Sequence, residues 1–202
     1  MKYLVIALLW TGYCSLHSYL ISIRLTKLME QLLKQYFAFY RLFYILISIA
    51  LLIPLLNYSS TLNDKVLFTY PPVLSVARQA LMAASLLLFF WAFFFDYDFL
   101  SFFGIRQILN FGKTKREEKS VVLKRRGLLG IMRHPMYLAL IVYLWCQTFS
   151  LTEVVVNLVL TIYVIIGTRL EERKLVLEFG DAYTKYQQEV PMLIPFTTRK
   201  AK

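Results

Sequence analysis

Three polar clusters interrupt a chain that is otherwise apolar enough for lipid. The first is Arg133-His134-Pro135-Met136-Tyr137, which opens the apolar run 136–149. Proline in the first turn of a helix costs little, because its missing N–H would be unpaired there anyway, and it holds the residues before it extended. The N-terminus of such a helix is partly positive. Arg133, His134 and the helix start at Pro135 therefore make a site for an anionic group. The same residues also suit a capped helix start with Arg133 among lipid headgroups.

The second cluster is Arg169-Leu170-Glu171-Glu172-Arg173. On a helix, Arg169 shares a face with Glu172 and Arg173, while Glu171 is turned by about 100° from Glu172. Carboxylates in this position can stabilise a cation or accept a proton. An interfacial girdle of salt bridges would use the same residues. The third cluster, Phe179-Gly180-Asp181 with Tyr183, Tyr186 and then "VPMLIPF", reads as a docked amphipathic tail. A fourth, weaker group is Asp96, Asp98 and Arg106-Gln107.

Several chemistries find no support. The chain has no G-x-G-x-x-G, P-loop, H-E-x-x-H or C-x-x-C pattern, and no nucleophile elbow. It has only two histidines and two cysteines. Cys14 and His17 share a helical face, but two ligands do not make a zinc site, so no metal is expected. His17 and Ser18 are better suited to hydrogen bonding between helices. Buried, inert thiols are expected at Cys14 and Cys146.

The elements that must position these clusters are membrane helices. Of 202 residues, 58% are hydrophobic and 17% charged, with 16 Phe and 14 Tyr, too apolar for an ordinary soluble domain. Apolar runs fall at 3–23, 42–57, 73–95, 136–149 and 154–168. The first is long for a signal peptide and carries no A-x-A-like site, so a retained helix is expected. "SLTE" between the last two runs matches a capping box, with Ser150 as N-cap and Glu153 as its partner. That predicts a helical hairpin, not one long span. Residues 24–40 read as an amphipathic interfacial helix, and 169 to about 188 as a continuation of the last helix that turns at Gly180. Pro191 and Pro195 then end regular structure.

The formal charge of +11 sets orientation here and does not point to nucleic acid. Twenty of the 23 basic residues lie in 24–41, 96–134 and 169–202. All three regions fall on one side if five spans start with the N-terminus outside. The expected fold class is thus all-α: a polytopic integral membrane bundle of about five helices, ending in a short helical hairpin and a cytoplasmic helical tail. The lipid bilayer is its first partner; the oligomeric state is left open.

The signatures "GLLGIMRHPMYLAL" and "EERKLVLEFGDAYTKYQQEVPMLIP", in that order and spacing, resemble the isoprenylcysteine carboxyl methyltransferase superfamily of membrane methyltransferases. "LHSYLIS", "FYRLFY", "DYDFLSFFGIRQ" and "TIYVIIGTRLEER" extend the likeness to most of the chain. They resemble the branch of methanethiol S-methyltransferases and NnrU-type proteins. No low-complexity linker divides the chain, so one integral membrane domain over 1–202 is expected, and the resemblance implies a five-span fold with its cofactor at the cytoplasmic ends of the last two spans. Residues 1–112 would form the N-terminal spans and interfacial helix, and 113–196 the region binding S-adenosyl-L-methionine. It implies cofactor contacts from Val121, Leu123 and Lys124, mainly through backbone, and from Leu129, Arg133, His134, Pro135, Met136, Tyr137 and Tyr183. It implies Glu171 near the acceptor, with Glu172 and Arg169 beside it. Two positions depart from the pattern. Leu129 stands where a tyrosine is common. Gly167 stands where carboxyl methyltransferases keep an arginine, and Arg169 is the replacement suggested by "GTRLEER". The second departure tells against a prenylated cysteine.

The function expected from this resemblance is methyl transfer from S-adenosyl-L-methionine to a small or lipophilic acceptor. A thiol, a prenylcysteine carboxylate and a phospholipid amine all qualify. Arg133, His134 and the helix start would hold the donor's carboxylate end, and a bacterial inner membrane is the expected location. The alternatives are an NnrU-type membrane accessory protein without catalysis and a sterol-reductase-like enzyme using NADPH.

Overall fold

The computed structural model describes residues 1–62, 65–112, 123, 125 and 127–197. Among these described residues nine α-helices follow in chain order: α1 Lys2–Leu20, α2 Ile23–Leu33, α3 Tyr40–Thr61, α4 Pro72–Trp91, α5 Phe99–Phe102, α6 Ile105–Leu109, α7 Pro135–Trp145, α8 Leu151–Phe179 and α9 Asp181–Glu189. Short 3-10 turns occupy Lys34–Phe39 and Gly127–Gly130. A two-stranded pairing joins β1, Val66–Phe68, to β2, Phe149–Ser150.

The chain divides into two compact units. The first comprises Met1–Leu67, Phe99–Glu118 and Phe149–Leu160. Its core is Ile6 and Trp10 of α1 with Leu55 of α3, packed against Val155, Val156, Val159 and Leu160 at the start of α8. Polar side chains in this apolar setting are paired. Trp10 Nε1 donates to Ser59 Oγ at 3.0 Å. His17 Nδ1 lies 2.9 Å from Ser48 Oγ, which itself donates to the Tyr44 carbonyl one turn back. His17 thus makes the hydrogen bond between α1 and α3 that its position in the first apolar run predicts. The α8 start is the expected capping box. Glu153 Oε2 accepts from the Ser150 N–H at 2.6 Å, and Ser150 Oγ accepts from the Glu153 N–H at 3.3 Å.

The second unit comprises Phe68–Asp98, Lys119–Thr148 and Thr161–Lys202. Here α4 packs along α7. α7 is only 11 residues long and stops at Trp145, so its last carbonyls need outside donors. Tyr70 Oη donates to the Trp145 carbonyl at 2.9 Å, and Arg78 Nη1 to the Cys146 carbonyl at 3.3 Å. Arg78 thus serves as a cation at the negative end of α7, where the helix dipole favours positive charge.

Among the described residues, three helical stretches are long and apolar enough to cross a membrane: Ile23–Thr61, Pro72–Asp96 and Leu151–Phe179. That is fewer than the five anticipated. α1 has the length, but Thr11, Ser15, His17 and Ser18 dilute its apolar character. α7 has the apolarity, but 11 residues reach only about 16 Å. The segment read as 24–40 is α2 followed by the 3-10 turn, with the break at Lys34 in a positive-φ conformation.

Candidate active site

The second unit brings the first two polar clusters together. His134 is the N-cap of α7 and Pro135 its first residue, so proline sets where the helix begins. The chain ahead of it is held by the C-terminal segment. The Arg133 N–H donates to the Pro191 carbonyl at 2.9 Å and the His134 N–H to the Met192 carbonyl at 3.0 Å. Both amides at the helix entrance are therefore used inside the protein.

Arg133, His134 and Glu172 form a buried knot. Arg133 Nε donates to Glu172 Oε1 at 2.6 Å. Its Nη1 donates to the Gln187 carbonyl at 3.0 Å and also to the Val190 carbonyl. His134 Nε2 lies 3.2 Å from Glu172 Oε1. A carboxylate can only accept, so this contact places the imidazole proton on Nε2. Gln187 Nε2 donates to Glu172 Oε2 at 3.0 Å. Glu172 thus receives three donors and ties the start of α7, the end of α8 and α9 to one carboxylate.

Glu171 faces elsewhere. Tyr137 Oη donates to its Oε2 at 2.8 Å. The Tyr137 ring stacks on the His134 ring with centroids 5.4 Å apart and planes 10° apart. His134 Nδ1 lies 3.9 Å from the same Glu171 oxygen, beyond hydrogen-bond range, and is buried with no hydrogen-bond partner among the described residues. The Glu171 side chain keeps 35% of its surface exposed against 10% for Glu172. Two adjacent carboxylates have different environments: one is consumed, the other is available.

The third cluster anchors the tail. α8 ends at Phe179, and Gly180 turns the chain at φ +55° into α9. Tyr183, Tyr186 and Val190 form one buried face of α9, packed against Leu123, Leu175, Val176 and Phe179. Tyr186 Oη donates to the Leu129 carbonyl. Arg125 lies over the Tyr186 ring at 5.3 Å and pairs with Glu189 at 3.2 Å. Burial raises the Tyr183 hydroxyl above its ordinary range and pushes Tyr186 up to about 12, so both are neutral donors at any physiological pH.

The anticipated site residues sort as follows. Arg133, His134 and Glu172 meet directly; Tyr137 and Glu171 meet beside them. Pro135 and Met136 are buried and position the helix entrance. Leu129 contributes its carbonyl, while Leu123 and Tyr183 pack in the tail core. Val121 and Lys124 lie outside the described residues. Arg169 is exposed, and no contact among the described residues joins it to Glu171. It lines an open groove of about 540 Å³ with Glu172, Arg173, Val176, Leu177 and Gln187. Gln187 and Arg125 were not anticipated. Gln187 follows Tyr183 by one helical turn, a spacing that would have placed it beside the buried face of α9.

The arrangement can do two things chemically. Glu171 can accept a proton at Oε1 while Tyr137 holds Oε2. His134 Nδ1 is buried with no hydrogen-bond partner among the described residues, open to a polar group of a ligand. An S-adenosyl-L-methionine molecule carries such groups in its amino-acid end and its hydroxyls, so these residues fit it. The expected holder of its carboxylate, Arg133, is instead occupied by Glu172 and two carbonyls.

No family model and no solved structure matches the chain. Similar curated proteins exist. A methanethiol S-methyltransferase of Pseudomonas deceptionensis is 39% identical over 100 residues, 48% of this chain and 37% of that protein. Methanethiol S-methyltransferase 1 of Bradyrhizobium diazoefficiens is 35% identical over 126 residues, 62% of this chain and 44% of the relative. The protein of that name from Crocosphaera subtropica is 33% identical over 100 residues, 49% and 39% of the two chains. In these three alignments the match spans about two fifths of the relative's length. Across that shared part, the chain is similar to methanethiol S-methyltransferases, the branch its signatures resemble.

Proposed function

We propose that the protein is a membrane methyltransferase that moves the methyl group of S-adenosyl-L-methionine to a small apolar thiol, with methanethiol as the first substrate to test. The observation that carries this reading is the Tyr137–Glu171 pair beside the unpartnered His134 Nδ1. The likeness to proteins named for that reaction supports the choice of acceptor.

S-adenosyl-L-methionine would supply a methyl group on a positively charged sulfur, which would leave as a neutral thioether keeping the electron pair of the broken carbon–sulfur bond. Glu171 would take the proton of the attacking thiol on Oε1. Tyr137 fixes the carboxylate through Oε2 and His134 presents Nδ1 to a polar group of the ligand. Glu172, through Arg133 and Gln187, keeps these groups at the mouth of the apolar helices, where water is scarce and positioning counts most. No metal is needed for such a displacement. The matching topology has five membrane segments, an N-terminus outside and a C-terminus in the cytoplasm of a bacterium. The one-sided placement of 20 basic residues supports it.

The experiment is a labelled-methyl assay on detergent-purified protein with methanethiol, longer thiols, prenylcysteine and phosphatidylethanolamine. Label should appear in the dialkyl sulfide from methanethiol. Glu171→Gln should lower kcat by about 10²–10⁴ with donor affinity retained by calorimetry, the span for a lost general base. Donor binding without transfer to any thiol refutes the acceptor. No donor binding by folded protein refutes methyl transfer and favours the accessory role.

A further inference from the structure

The groove on the outer side of α8 has no place in that mechanism. Arg169 and Arg173 stand four residues apart on its wall, exposed and without an ion-pair partner among the described residues. Like charges at this spacing destabilise a helix; the two carboxylates between them in sequence are held elsewhere, Glu171 by Tyr137 and Glu172 by Arg133. Glu172 also lines the groove, but its charge is met by Arg133 and its oxygens by His134 and Gln187. The groove therefore carries the charge of two free guanidinium groups.

A second observation fixes what could fill it. Ile162, Ile166, Arg169, Arg173 and Leu177 recur at spacings of four, three, four and four, which places them on one face of α8. Ile162 and Ile166 are about half exposed and Leu177 is 81% exposed. α8 is one of the three stretches long and apolar enough to cross a membrane. The exposed apolar residues Ile162 and Ile166, on a helix of membrane length, thus run into a pair of unmatched cations beside an open groove. That order, hydrocarbon and then positive charge, is the order of a phospholipid read from its acyl chains to its phosphate.

We propose that Arg169 and Arg173 form a binding site for the phosphate of an anionic phospholipid, whose chains lie along Ile162 and Ile166. A phosphate presents several oxygens, so both planar guanidinium groups can bond to it in forked geometry. Gln187 lines the opposite wall from α9, and its amide already holds Glu172. A headgroup in the groove would therefore rest on the same helix pair that the buried knot fastens.

Native mass spectrometry of the detergent-released full chain, offered equal amounts of phosphatidylglycerol and phosphatidylcholine, tests this directly. The wild type should retain phosphatidylglycerol in preference. R169Q/R173Q should bind it about 30-fold more weakly, or about 2 kcal/mol, on the basis of about 1 kcal/mol per arginine near an anionic surface. Circular dichroism should be unchanged, and Lys27→Gln on α2 should keep full retention. If the double glutamine variant does not fold, R169K/R173K serves in its place and should lose forked bonding while keeping part of the affinity. Equal retention of the two lipids by wild type overturns the proposal, as does unaltered phosphatidylglycerol retention in the folded variant. Displacement of the lipid by millimolar inorganic phosphate also overturns it, in favour of a soluble anion.

Discussion

Replacing Glu172 by alanine removes one carboxylate and strands three donors. Arg133 Nε loses a 2.6 Å partner, His134 Nε2 a 3.2 Å partner and Gln187 Nε2 a 3.0 Å partner. Gln187 can turn toward solvent at little cost, because it is only half buried. Arg133 cannot, since its side chain is 7% exposed and two carbonyls hold its other end. A buried ion pair that loses one member costs about 3–5 kcal/mol, because the remaining charge is desolvated without compensation. Replacing both partners by apolar residues of similar size costs far less. Glu172→Ala should therefore lose about 3–5 kcal/mol, Arg133→Met a similar amount, and the Arg133→Met/Glu172→Met pair clearly less than the sum. Glu171→Gln, by contrast, exchanges one part-buried carboxylate bond with Tyr137 for a neutral one and should cost about 1 kcal/mol. Reversible unfolding in mixed micelles, followed by far-ultraviolet circular dichroism, measures all four. If Glu172→Ala and Glu171→Gln cost the same, or if the double change is additive, then the buried knot does not hold the end of α8 to α9 and the division of labour between the two carboxylates is wrong.

Two further outcomes follow from the tail. Gly180 sits at φ +55° and ψ −133°, a conformation that penalises a side chain whatever the space around it. Gly180→Ala should cost about 1–3 kcal/mol in the same unfolding assay. Tyr186 stays protonated up to about 12 in the folded protein because of its burial, against the ordinary 10. The folded state then binds more protons than the unfolded state between those values. Stability contributed by this group is complete below pH 10 and is lost as pH rises toward 12. Tyr186→Phe should flatten that decline, with the remainder due to Tyr183, which shifts the same way.

Local signals in the sequence carried over where one short-range rule decides the outcome. The capping box at Ser150 and Glu153, proline at the first position of α7 and the turn at Gly180 are each set by a few neighbouring residues. Membrane length was harder to read. The run 136–149 looks continuous, yet α7 ends at Trp145, where Tyr70 and Arg78, far away in sequence, donate to the Trp145 and Cys146 carbonyls. No periodicity within 136–149 contains that information.

The site shows the same limit at the scale of single side chains. The sequence indicates that Glu171 and Glu172 point about 100° apart, because that is the helical increment. It does not say what waits in each direction. The buried direction holds Arg133, His134 and Gln187, and the half-open one holds Tyr137. Arg133 is the informative case. Its type and its place before a helix suit an anion, and it does meet an anion, but one supplied by the protein. A guanidinium already bonded to a carboxylate and two carbonyls has little capacity left for a ligand. Arg169 and Arg173, on the face of α8 that Glu171 does not share, have no ion-pair partner among the described residues and can still receive one. Any assignment of ligand charge in this protein therefore has to begin from which guanidinium groups the fold has left unpaired.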